Sequence, residues 1–143
     1  MSISASIDIQ LAKSFAIPTL IQMFLDAGWT LNDSGKVSFL PIGDVDDFNW
    51  QNEQLTDQAL IELADEKVKR GELVGVVFTW QDTMSGGEVL FHTDSSFSIT
   101  LSIGRKVVGK SRRTDVTWYI ERLDRVFSGK SIDIEQIVFS EHV

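Results

Sequence analysis

The segment from Glu72 to Gly104 constrains this chain most. It reads ELVGVVFTWQ, the loop DTMSGG, then GEVLFHT, a polar turn at Asp94-Ser95-Ser96, and FSITLSIG. Three runs rich in β-branched and aromatic residues, each of strand length and bounded by turn residues, predict three strands. Connections this short join antiparallel neighbours, because a parallel pair needs a long crossover. The result is an antiparallel meander, and the rest of the chain must cover its apolar side.

The flanking segments supply that cover. Ile3, Ala5, Ile7, Ile9 and Leu11 alternate with polar residues, which predicts a one-sided strand. Pro18 suits the first turn of a helix, Leu20, Ile21, Phe24 and Leu25 form its apolar stripe, and Gly28 stands at its C-cap. Trp29 and Leu31 lead into the turn Asn32-Asp33-Ser34-Gly35, and with Val37 and Phe39 beyond it they predict a short hairpin. Thr56 is placed to cap a second helix with Leu60, Leu63, Ala64 and Val68 as its buried stripe, stopped by Gly71. Asp65–Lys69 and Glu66–Arg70 are favourable i,i+4 pairs on that helix. Thr114-Asp115 caps a third helix whose inner face is Val116, Tyr119, Ile120, Leu123, Val126 and Phe127. Ile132, Ile134, Ile137, Val138 and Phe139 suggest a last strand with a bulge near Gln136. The expectation over residues 1–143 is a single α+β domain, a mainly antiparallel sheet with about three helices.

Charge is unevenly spread. The chain carries −8 in all, yet the segment from Asp26 to Glu66 has ten acids against Lys36 alone, so it holds −9 and the remainder +1. At its centre lies Gly43 to Asp57, GDVDDFNWQNEQLTD. If extended, Asp44, Asp46, Phe48 and Trp50 share one edge of it. Such a run stays charged only in water or against cations, since unpaired burial is very costly. It repels nucleic acid and favours a basic partner, a solvated acidic face being the plain alternative. With no cysteine there is no disulfide, thiolate metal site or cysteine nucleophile. The N-terminal MSISASIDIQLAK lacks the pattern of a signal peptide, and no apolar run approaches the ~20 residues of a membrane span. A soluble, cytoplasmic protein is expected.

Catalytic patterns fail one by one. Gly104 to Ser111 fits G-x-x-x-x-G-K-S on paper. The helix signal begins only at Thr114, however, Val107 and Val108 resist a tight cradle, and the preceding strands form a meander, not a parallel unit. The same segment carries Arg105, Lys106, Lys110, Arg112 and Arg113, read as a basic turn paired with the protein's own acids or a rim contact. An EF-hand counted from Asp44 puts Phe48 at position 5, Asn49 at 6 and Leu55 at 12, so the calcium pattern is absent. His92 has no G-x-S-x-G motif and no serine placed near it by spacing, and is read as a structural strand residue. Trp29, Trp80 and Tyr119 are read as core. Trp118 has Arg122 and Arg125 at i+4 and i+7, a polar-face tryptophan among arginines that suits an interface. No enzyme or cofactor is expected, nor a metal, the alternative being an irregular weak Ca²⁺ or Mg²⁺ site from Asp44, Asp46 and Asp47.

In its small, cysteine-free, acidic α+β style the chain resembles bacterial immunity proteins of contact-dependent inhibition and related polymorphic toxin systems. The segments carrying that resemblance are Gly28-Trp29-Thr30-Leu31, Leu40 to Asp44, the acidic stretch, and Thr114 to Tyr119. The resemblance implies a protein that binds a cognate toxin domain, in that class often a basic nuclease, and occludes its active site. The residues expected to bind the toxin are Asp44, Asp46, Asp47, Glu53 and Asp57 for charge, with Trp50 as anchor and Trp118 as a second contact. Phe48 is open between that role and the core. The alternative is a non-catalytic adaptor or oligomeric module using strand edges or the Trp118 face.

Overall fold

The structure is a computed structural model that describes residues 3–33, 35–81, 83–129 and 133–143. Ser34 of the expected turn, Asp82 of the loop and Ile132 of the last strand lie outside the described residues. The elements run β1 (Ser4–Leu11), α1 (Ile17–Ala27), β2 (Trp29–Thr30), β3 (Asn32–Asp33), β4 (Lys36–Phe39), β5 (Gln51–Glu53), α2 (Asp57–Lys69), β6 (Val74–Trp80), β7 (Gly86–Phe91), β8 (Ser96–Ile103), β9 (Val107–Val108), β10 (Arg113–Thr114), α3 (Val116–Phe127) and β11 (Ile134–His142). This is the α+β architecture expected.

Strands β6, β7 and β8 form the meander, and every strand pairing is antiparallel. Among the described residues the main sheet runs β11-β1-β8-β7-β6-β4-β3, with β2 on β6 and β5 on β4. Opposed residues share a face. The row Phe139–Ile7–Ile99–Val89–Val76 therefore lies on one side, and Asp8–Ser98–Leu90–Gly75 on the other. The first side carries the core. Phe24 of α1 stacks on Phe78 at 4.8 Å between centroids and meets Phe91 and Phe97 edge-on, while Phe127 of α3 reaches Phe97. Leu60 and Ala64 of α2 join the same cluster. All three helices thus cover one face and leave the other, rich in serine and threonine, toward solvent.

Local chemistry sets the boundaries. Thr56 Oγ1 accepts the Ala59 N–H and Asp115 accepts the Trp118 N–H, each satisfying an orphan donor at a helix start. Gly86 and Gly87 mark a register shift between β7 and β8. A Cβ on Gly87 would lie 1.7 Å from the Thr100 carbonyl oxygen, so only glycine lets the two backbones approach. A second shift sets Gln10–Leu11 against Gln136 and Ile134, which puts the extra residue of the predicted bulge at Glu135.

One face assignment is corrected. In α2 the buried residues are Leu60, Ala64 and Lys67, while Val68 is 41% exposed. The stripe follows i, i+4, i+7 and so selects a lysine over a valine.

Candidate protein-binding surface

The acidic stretch is not a strand. Only Gln51–Glu53 pairs, and residues 41–50 form turns and bends. The cause is Asp44. Its carboxylate accepts backbone N–H groups from Asp47 (2.9 Å), Phe48 (3.2 Å) and Asn49 (2.8 Å), which wraps the chain around it and holds Phe48 at φ 53°. The one-edge alignment of Asp44, Asp46, Phe48 and Trp50 expected for an extended chain is therefore replaced by a turn. Asp44 is 5% exposed and belongs to the scaffold, not to the outer charge. Burial acts to raise its pKa, but the three N–H groups and the nearby Lys67 outweigh that and hold it below the ordinary carboxylate value.

Lys67 ties the turn from beneath. Its ammonium has no exposed surface, donates to the Pro41 carbonyl at 2.6 Å and the Asp44 carbonyl at 2.9 Å, and lies 3.7 Å from Glu72. Glu72 also accepts the Gly43 N–H at 2.7 Å. Burial lowers the lysine's pKa, and Glu72 and Asp44 oppose that shift. Both ends of the turn are thus fixed by a buried charged group of each sign, the arrangement a buried ion needs to persist. The sequence signal for it was a lysine on an apolar stripe.

What the turn displays follows from this frame. Ile42, Val45 and Phe48 are 41%, 54% and 49% exposed, and Val68 of α2 lines a cleft with Val45. Phe48, left open between surface and core, is a surface residue. Asp46 and Asp47 are exposed and their carboxylates have no partner among the described residues. Glu53 on β5 and Asp57 in the first turn of α2 are exposed as well, and Trp50 is half-buried. Asp65 and Glu66 are already paired with Lys69 and Arg70, as expected, at 3.0 and 3.1 Å. A cleft of ≈ 360 Å³ is lined by Val45, Val68, Leu73 and Phe91 together with Glu72 and His92.

No family model, curated protein or solved structure matches this chain.

Trp118 departs from its expectation. It is half-buried, packed on the core and enclosed by cations: the Arg122 guanidinium lies 4.1 Å from its ring and the Lys106 ammonium 5.3 Å. Its contacts are used within the protein, so it does not stand free as an anchor. Arg122 and Arg125 also cover Trp80, which is buried with Trp29 and Tyr119 as expected. Three of the five basic side chains, Arg105, Lys106 and Arg113, are likewise engaged internally, while Lys110 and Arg112 are exposed. Val107-Val108 pairs with Arg113-Thr114, and Glu141 binds Arg113 at 2.8 Å and the Thr114 N–H and hydroxyl at 2.8 Å each. α3 begins at Val116 and not at Lys110, so the Gly104–Ser111 segment does not run into a helix as a phosphate cradle must.

His92 lies on the open sheet face, and its Nε2 is 2.9 Å from Ser98 Oγ. Sequence spacing did not place that serine, which arrives from the neighbouring strand. The pair is solvent-exposed and has no acidic partner for the other ring nitrogen among the described residues, so it lacks the orienting group of a hydrolytic triad. No group of three metal-ligating side chains occurs among the described residues, and no helix there is long and apolar enough to cross a membrane.

Proposed function

We propose that this chain is a non-catalytic binding protein that neutralises a cationic protein domain, in the manner of an immunity protein against a basic toxin. The observation that carries this reading is the turn 41–50, pinned by buried Asp44 and Lys67 and displaying Val45, Asp46, Asp47 and Phe48 outward. An apolar centre flanked by bare carboxylates is what a basic partner needs. The acids meet its lysines and arginines and speed encounter, while burial of Phe48 and filling of the cleft beside Val45 slow release. Preorganisation adds to this, because a turn already fixed loses little freedom on binding. Glu53 and Asp57 extend the negative rim. Asp44 and Trp118 leave the contact set, since both are engaged inside the fold.

The test is retention of partners from a lysate of the source cells, at low and high salt, by the wild type and by Asp46→Lys/Asp47→Lys. The expected result is a basic protein held at low salt, released at high salt, inhibited while bound, and lost from the double variant with unchanged circular dichroism. Equal retention by the double variant would remove the turn from the mechanism.

A further inference from the structure

The two edges of the main sheet are built differently. One ends in β3 and β5, of two and three residues, too short to template another strand. The other is β11, nine residues long, with no proline, lysine or arginine in it. Among the described residues no backbone hydrogen bond reaches β11 from any element but β1, so its outer row of N–H and C=O groups is unpaired. Its bulge lies at one end, at Glu135, and leaves Gln136–His142 in regular register with β1. Apolar side chains stand on both faces of this edge: Ile137 at 38% exposure on the helix side and Val138 at 42% on the open side.

We infer that β11 pairs antiparallel with β11 of a second copy of this chain, about a two-fold axis at Val138. A two-fold antiparallel pair sets one residue opposite itself, which limits the registers open to β11. Centred on Ile137, it would put Phe139 against Glu135 and Val138 against Gln136. Centred on Phe139, it would put Ile137 against Glu141 and Val138 against Ser140. Centred on Val138, it sets valine on valine, Ile137 on Phe139 twice, and Gln136 on Ser140. Glu135 then meets Glu141, whose charge is already held by Arg113 at 2.8 Å. Only this register matches apolar with apolar on both faces and opposes no bare pair of carboxylates. It joins the two sheets into one and covers both exposed aliphatics, a small contact that suits a reversible dimer. The turn 41–50 is on other elements, so this inference stands apart from the function proposed above.

The absence of cysteine makes the test clean. In the proposed register the two copies of residue 138 are direct cross-strand neighbours, within reach of a disulfide. Val138→Cys should form a cross-linked dimer under mild oxidation, while Thr100→Cys, exposed on the same sheet face two strands inward, should not. Sedimentation of the wild type should rise from 16.0 kDa towards twice that with concentration, and Val138→Lys should stay at the monomer mass with an unchanged melt. A wild type monomeric at every concentration, or Val138→Cys cross-linking no faster than Thr100→Cys, would overturn the inference.

Discussion

Removing the ammonium of Lys67 tests whether the acidic turn is held from beneath. Lys67→Met keeps most of the buried stem and deletes only the charged head. The carbonyls of Pro41 and Asp44 then lose a charged donor, each bond contributing about 1.5–3 kcal/mol. Glu72 loses its cation but keeps the Gly43 N–H. Against this, the variant no longer desolvates an ammonium, which recovers part of the loss, so the net destabilisation should sit near 3 kcal/mol, the low end for a broken buried pair. Urea unfolding followed by tryptophan fluorescence measures it. With a slope of about 2 kcal/mol per M, the midpoint should fall by about 1.5 M. Amide exchange at Asp47, Phe48 and Asn49 should quicken beyond what global stability explains, since their acceptor Asp44 is no longer fixed. A midpoint within about 0.3 M of the wild type, on that same slope, would refute the reasoning and make Lys67 a bystander.

Three further outcomes follow from named contacts. Arg113, and then the Thr114 N–H and hydroxyl, hold Glu141 at about 2 against an ordinary 4.5. The folded value is the lower, so its stabilisation is present above pH 4.5 and lost as pH falls through about 2. Urea midpoints of Glu141→Gln should therefore lie below wild type at neutral pH and decline less between pH 4.5 and 2, and parallel curves would exclude the linkage. Gly87→Ala should abolish cooperative unfolding because its Cβ meets the Thr100 carbonyl at 1.7 Å, whereas Gly43→Ala, with nothing within 4 Å, should lose only about 1–2 kcal/mol to its positive φ. Phe48→Gly should keep its stability to about 1 kcal/mol, as relief of a left-handed backbone offsets lost contact, yet lose partner capture. A melt collapsing with capture would mean Phe48 serves the fold.

Much of this architecture is legible in the sequence because it is local. The meander follows from period and turn residues, Thr56 and Asp115 cap the helices they precede, and Gly71 ends α2 with φ +73°. The acidic surface was legible as composition but not as geometry. Asp44 looks like its neighbours Asp46 and Asp47, and only a lysine 23 residues away and three following N–H groups set it apart. Trp118 misled for a related reason. Its helical neighbours are arginines, but Lys106 arrives from the β8–β9 connection and Arg122 folds back over the ring. The serine beside His92 and the pairing of β2 with β6 are likewise long-range and leave no trace in spacing.

The division of labour within the turn decides which of its positions can vary. Its backbone path is held from the inside, by Asp44 and Lys67, while the side chains of Val45, Asp46, Asp47 and Phe48 face solvent. Val45, Asp46 and Asp47 can accordingly be exchanged for other residues on an unchanged loop, and Phe48, at φ 53°, for residues that accept a left-handed backbone. A small library at these four positions, with Asp44 and Lys67 kept, would vary the surface the proposed partner meets while the architecture stands still.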